Sequence, residues 1–168
     1  MKNTNLISSS KQIKLEITIQ NQKLWKDLGN IFCTMVLDLL SKIIEDKNQQ
    51  KTSISILLTD DLYIKKINTK WRKSKKATNV LSFPVNKQFK EEGYFFIGDI
   101  VLSYETILSE CKLREKTFKD HFLHLLVHGF LHLLGYNHDN KRNEKEMEDL
   151  EVNYLSELNI KNPYEIRG

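Results

Sequence analysis

The amino-acid sequence predicts an α+β fold in one domain, with about four strands in a mixed sheet packed against helices. Two observations lead there. Period-2 and β-branched apolar runs gather in the first hundred residues, and apolar residues at three- and four-residue spacing dominate after them. The length of 168 residues, with 40% hydrophobic and 29% charged side chains, suits one well-buried core and neither a disordered nor a fibrous chain.

Taken in order, residues 1–11 are polar and Ser/Asn-rich and are expected to be a flexible N-terminus, leaving 12–168 as the folded domain. Ile13, Leu15, Ile17 and Ile19 alternate with Lys14, Glu16 and Thr18, the period of a half-buried strand. Leu24, Leu28, Ile31, Met35, Leu39 and Ile43 form one stripe and predict an amphipathic helix over about Lys23 to Glu45. Thr52 to Leu58 reads as a second strand, after which Thr59 or Asp60 can cap a short helix ending near Asn68. Asn79 to Pro84 and Tyr94 to Leu102 read as third and fourth strands joined by a long polar connection containing Gly93. Ser103 can cap a further helix; another is expected from Phe118 to Leu134, stopped by Gly135, and a last one from Lys141 to Leu158. Met147, Leu150, Tyr154 and Leu158 share one side of the last helix.

Twenty-six Lys and Arg against twenty-two Asp and Glu give a net charge of +4, mildly basic and compatible with a polyanionic partner. Cys33 and Cys111 stand in unrelated contexts without CxxC spacing, which argues against a disulfide framework or a cysteine metal site. Leu6 and Ile7 are followed at once by three serines, so no signal-peptide core is expected, and the longest apolar stretch is too short and too interrupted to span a bilayer. A cytoplasmic protein with no membrane association is the expectation.

All five histidines lie between His121 and His138. Residues four apart on a helix share a face, so His128 and His132 can offer nitrogens to one ion, and Gly135 lets the chain leave the helix so that His138 can fold back as a third ligand. Three neutral nitrogens leave a fourth position open, as in a catalytic zinc site. His121 and His124 lie on nearly the same face. However, His124 and His132 are separated by roughly 12 Å along a straight helix, too far to share an ion. Packing, or hydrogen bonding behind the ligands, is the role left for the two earlier histidines. The metal expected is zinc, although three imidazoles would also accept nickel, copper or cobalt.

The run His128 to His138, H-G-F-L-H-L-L-G-Y-N-H, has the spacing of the metzincin metalloproteases and predicts a zincin-like metal-binding helix. In those proteases a Glu follows the first His and takes the proton from water; here Gly129 occupies that position and can accept nothing, which disfavours peptidase chemistry.

The same run is similar to the HGxLHLxGYDH signature of the YbeY endoribonucleases. Trp71-Arg72 with Thr78 to Pro84 (T-N-V-L-S-F-P) resembles a second block of that family, and Gly98-Asp99-Ile100 a third. The resemblance covers most of the chain. It implies a metal-dependent hydrolase that cleaves single-stranded RNA and acts in maturation of the 3′ end of small-subunit ribosomal RNA and in ribosome quality control. Ribosomal RNA, ribosomal subunits and assembly factors would be its partners, and zinc its metal. It maps the zinc ligands onto His128, His132 and His138, and an active-site arginine onto Arg72. Two positions depart from the pattern: Asn137 stands where Asp is usual, removing a charged partner near the ligands, and Trp71 where Tyr is common.

Lys70, Arg72, Lys73, Lys75 and Lys76 surround Trp71, a composition suited to phosphate contacts and base stacking. The planar fork of Arg72 could clamp a phosphate as negative charge builds on it. No general base is identifiable; Asp99 is a weak candidate for the cleft and better explained as a structural hydrogen-bond acceptor. Two other functions fit the same residues, a metallopeptidase-like hydrolase and a ribosome-assembly factor whose metal is structural.

Overall fold

The computed structural model describes residues 3–26 and 28–165, with backbone alone at 30 and 31. Ten elements follow in chain order: β1 (Thr4–Ser9), β2 (Ile13–Ile19), α1 (Asn30–Asp46), β3 (Thr52–Thr59), α2 (Asp61–Arg72), β4 (Val80–Glu91), β5 (Tyr94–Ser103), α3 (Tyr104–Arg114), α4 (Phe118–Leu133) and α5 (Lys141–Ser156). The strands form one mixed sheet in the order β1-β2-β3-β5-β4. Its two central pairings, β2 with β3 and β3 with β5, are parallel, and its two outer pairings are antiparallel.

The sheet therefore has five strands, one more than expected. The extra one is β1, in the stretch expected to be flexible, of which residues 1–2 lie outside the described residues. Polar composition misleads here because the strand is held by its backbone ladder to β2, from Thr4 opposite Ile19 to Ser9 opposite Lys14, while only Leu6 packs against the core. The turn into β2 is tied by the Ser10 hydroxyl, which accepts from the N–H groups of Gln12 and Ile13.

Alternation sorts side chains between the two faces of the sheet. Ile13, Leu15, Ile17, Ile54, Ile56, Leu58, Ile100 and Leu102 join the main core with Leu39, Leu40, Ile43 and Ile44 of α1 and Phe122, Leu126 and Phe130 of α4. On the opposite face Leu81 and Val101 pack with Ile64 of α2. The sheet is thus sandwiched between α1 and α4 on one side and α2 on the other.

Three boundaries differ from expectation. Helix α1 begins at Asn30 rather than Lys23, because Trp25 is buried and donates its indole N–H to Thr59 O, which holds the preceding stretch in turns. The stripe residue Ile31 lies outside the described side chains. Helix α2 is capped by Asp60, whose side chain accepts from Tyr63 N–H, and runs one turn past Asn68 to end in left-handed Lys73. The connection expected between the third and fourth strands is instead a continuation of β4 to Glu91. Glu92 and Gly93, with φ of 50° and 87°, then make a tight two-residue hairpin turn.

Candidate metal centre

Helix α4 lies directly against β4 and β5, and Gly129 permits this. A Cβ at that position would stand 2.9 Å from Ser82 Oγ and 3.3 Å from both Ile100 Cγ2 and Val80 Cγ2. The Ser82 hydroxyl donates to Gly129 O at 3.1 Å, fastening helix to strand. A side chain at the position after the first histidine of the motif would therefore crowd the sheet, and the glycine there supplies no protease-type carboxylate.

The end of α4 is a Schellman motif: Tyr136 N–H bonds to Leu131 O at 3.0 Å, Gly135 N–H bonds to His132 O at 3.0 Å, and Gly135 takes φ of 96°. This turn reverses the chain and brings His138 back beside the last turn of the helix. His128, His132 and His138 each present a nitrogen so that all three atoms lie within 4.8 Å of one another. His128 and His132 are half-buried, and His138 is exposed.

The hydrogen bonds behind the rings decide which nitrogens face the common point. Nδ1 of His128 lies 2.5 Å from Oε1 of Glu151, and Nδ1 of His132 lies 2.9 Å from Tyr136 O. Both partners are acceptors, so both Nδ1 atoms carry a proton, and in the neutral rings both Nε2 atoms carry lone pairs. Those Nε2 atoms are 3.0 Å apart. Two facing lone pairs repel unless a cation lies between them, and tetrahedral zinc at its usual bond length places neighbouring nitrogens roughly 3.3 Å apart. The donor set thus fits a divalent transition metal. Burial, followed by the neighbouring charge of His128, lowers the pKa of His132 and keeps its imidazole neutral, the form that binds metal.

Glu151 of α5 is fully buried. Burial alone would push its carboxyl up, but hydrogen bonds from His124, His128 and Tyr164 outweigh burial and bring its pKa to about 2. Sequence reasoning missed this residue. Its signal was an acid four residues after Met147 and three before Tyr154, on the stripe that α5 buries.

His121 and His124 stay out of the cluster. His121 Nε2 lies 2.6 Å from Glu110, which also accepts from Asn79, and His124 Nε2 lies 3.2 Å from Glu151. Asp99 is corrected as a cleft candidate. It shares the sheet face of Leu81 and Val101, away from Gly129 and α4, and burial raises its pKa against the opposing hydrogen bond with Ser55.

Arg72 ends α2 on the other side of the sheet yet lines a cleft with the histidines, because β4 is an edge strand that a long side chain can round. Its Nη2 donates to Ser82 O at 2.9 Å and its guanidinium lies 5.6 Å from the Phe83 ring. One cleft of about 540 Å3 is lined by Arg72, Ser82, Pro84, His128, His132 and His138, among others. Next to Arg72, Trp71 is 63% exposed with Lys70 Nζ 4.9 Å from its ring centre, and Lys73, Lys75 and Lys76 are exposed. Asn137, at the rim, accepts from Asn143 Nδ2 at 2.8 Å and so braces the first turn of α5. Among the described residues no helix is long and apolar enough to cross a membrane.

Comparison with known proteins agrees with this architecture. The solution structure of TM1509 from Thermotoga maritima matches with a TM-score of 0.57 over 86% of this chain and 88% of that one, at 24% identity, a likeness of fold. An endoribonuclease YbeY of Rhizobium etli (strain CIAT 652) is 40% identical over 163 residues, covering 92% of this chain and 94% of the relative. That of Bartonella bacilliformis is 41% identical over 155 residues, covering 90% and 97%. The family model described as endoribonuclease YbeY matches residues 9–159, and with relatives of this similarity along nearly their whole length the chain belongs to that family.

Proposed function

We propose that this protein is a metal-dependent endoribonuclease that cleaves single-stranded RNA, with one zinc ion held by His128, His132 and His138. The observation that carries the reading is the convergence of three imidazole nitrogens in a cleft that also holds Arg72 and adjoins the exposed Lys70 to Lys76 segment. Relatives at about 40% identity are named endoribonuclease, which gives RNA as the substrate class.

When bound, a divalent ion there supplies Lewis acidity toward a phosphodiester. The chain's own residues do the rest. Arg72 spends one of its five N–H donors on Ser82 O, which fixes the side chain and leaves the others for a phosphate as charge develops on it. Lys70, Lys73, Lys75 and Lys76 hold the flanking backbone, and the exposed ring of Trp71 offers a face on which a base can stack. Glu151 holds the proton on His128 Nδ1, keeping Nε2 of that ring open. Gly129 leaves no base of the protease kind, which speaks against peptide hydrolysis.

The biological substrate we propose is the 3′ end of small-subunit ribosomal RNA, processed in the cytoplasm during maturation and quality control of ribosomes, with ribosomal subunits and assembly factors as partners. A single-stranded RNA cleavage assay with and without chelator, together with metal analysis of the purified protein, tests the proposal. Cleavage and one zinc per chain are expected. His132→Ala should abolish turnover, and Arg72→Ala should lower it about 100- to 1,000-fold with zinc retained. Undiminished turnover in both variants removes the assignment.

A further inference from the structure

The segment after α5 folds back along α4. Ile160 is buried, Asn162 Oδ1 accepts from Tyr164 N–H at 2.9 Å, and Lys116 Nζ of the α3–α4 turn donates to Pro163 O at 2.9 Å. This anchoring delivers the Tyr164 hydroxyl to Glu151, where it donates to Oε2 while Oε1 receives His128. The Tyr164 ring also stands edge-on to His124, centroids 5.4 Å apart at 85°, and its oxygen lies 3.2 Å from His124 Nε2. A carboxylate with no solvent exposure thus has each oxygen committed: one to the ring of His128, the other to a hydroxyl and a second imidazole.

We infer that Tyr164 is a positioning residue for the metal centre, acting through Glu151 on His128, and that the Asn162-Pro163-Tyr164 segment belongs functionally to that centre. It lies beyond residues 9–159 that match the family model, so the family resemblance does not assign it this role. A buried carboxylate can rotate about its last bond, and rotation would swing Oε1 away from Nδ1 of His128. Tyr164 and His124 together pin Oε2, and this keeps Oε1 on the histidine and the histidine's Nε2 on the shared point. His128 can donate only one proton, so it cannot hold the carboxylate in plane without these partners.

The inference rests on the zinc reading proposed above, and one set of binding measurements separates the two. Zinc affinity of the full chain is measured by competition with a chromophoric chelator, and the Co2+-substituted protein is followed by its visible absorption, which reports ligand geometry. Thermal unfolding of the metal-free protein controls for folding. Tyr164→Phe, which removes only the hydroxyl, should bind zinc about tenfold more weakly and shift the Co2+ bands. Glu151→Gln should fall further within the 10- to 100-fold range typical of groups that orient a ligand. The metal-free unfolding midpoint of Tyr164→Phe should stay close to that of the wild type. If Tyr164→Phe binds zinc as tightly as wild type with unchanged Co2+ bands while Glu151→Gln is impaired, Tyr164 merely packs and the inference is overturned. If Tyr164→Phe weakens zinc binding only in step with a lowered metal-free midpoint, the effect is one of folding and the inference is likewise overturned. Failure of the wild type itself to bind zinc or Co2+ overturns the metal reading, and this inference with it.

Discussion

The two halves of α4 carry the same side chain on the same stripe and use it in opposite ways. In the first half, His121 and His124 have their outer nitrogen, Nε2, engaged by Glu110 and Glu151, and their Nδ1 atoms are buried without a hydrogen-bond partner among the described residues. In the second half, His128 and His132 have the inner nitrogen, Nδ1, engaged by Glu151 and Tyr136 O, which leaves Nε2 at the tip of each ring facing the cleft. A histidine becomes a candidate ligand when its acceptor sits behind the ring, and a structural tie when the acceptor sits at the tip. Glu151 makes the point sharply, because its two oxygens serve one histidine of each kind.

The largest expected contrast follows from exchanging these roles. His132→Ala should weaken zinc binding by more than about 100-fold, beyond what loss of an orienting group costs. His121→Ala should leave zinc affinity within about threefold but lower the unfolding free energy by about 2 kcal/mol, since it deprives Glu110 of a partner and leaves Asn79 as its remaining donor. Chelator competition and urea unfolding of the two variants give both numbers. Equal zinc loss in both would erase the distinction between the halves.

Gly129, where α4 meets β4 and β5 beside the histidine cluster, offers the next largest effect. Gly129→Ala would gain about 0.5–1 kcal/mol of helix propensity, yet its Cβ would push against Ser82 Oγ and break the bond to Gly129 O. A net loss of about 1–2 kcal/mol is expected. A double-mutant cycle with Ser82→Ala should recover part of that loss; strictly additive effects would show that the crowding lies elsewhere.

A smaller difference should appear with pH. Burial holds His121 below its usual pKa of 6.5, against the opposing pull of Glu110. The unfolded chain therefore takes up this proton first as pH falls, so stability present above about 6.5 is lost on the way down toward the folded value. Unfolding free energies of wild type and His121→Ala at about pH 7.5 and about pH 5.5 should show a shallower decline in the variant. The smallest change is expected from Asn137→Asp. Asp would accept from Asn143 as Asn137 does and would add negative charge near both the metal and the first turn of α5, tightening zinc by about threefold. Equal affinities in the two proteins would show that the charge at this position is irrelevant.

Much of the fold was legible because its signals are local. The alternation of Ile13 to Ile19, the β-branched run after Thr52 and the cap Asp60 act within a few residues. The elements that escaped are held from a distance. β1 exists through its ladder to β2, the late start of α1 depends on an indole bond from Trp25 to Thr59, and β4 extends because β5 pairs with it beyond Phe89. The site divides in the same way. Spacing alone brings His128 and His132 onto one helical face and gives Gly135 the turn that returns His138. Glu151 looked like one more charge in a charged helix until its burial against α4 was seen.

Primary structure was therefore sufficient for the identity of the three converging imidazoles, for the glycine where a protease carries its base, and for a basic, aromatic segment near Arg72. Folding in three dimensions settled which nitrogen of His128 and of His132 faces the cleft, that Arg72 rounds an edge strand to share it, and that Tyr164 reaches Glu151. Helical periodicity and turn chemistry are properties of a few consecutive residues. The acceptor that orients His128 is Glu151, 23 positions away, and no repeat in the chain encodes that meeting.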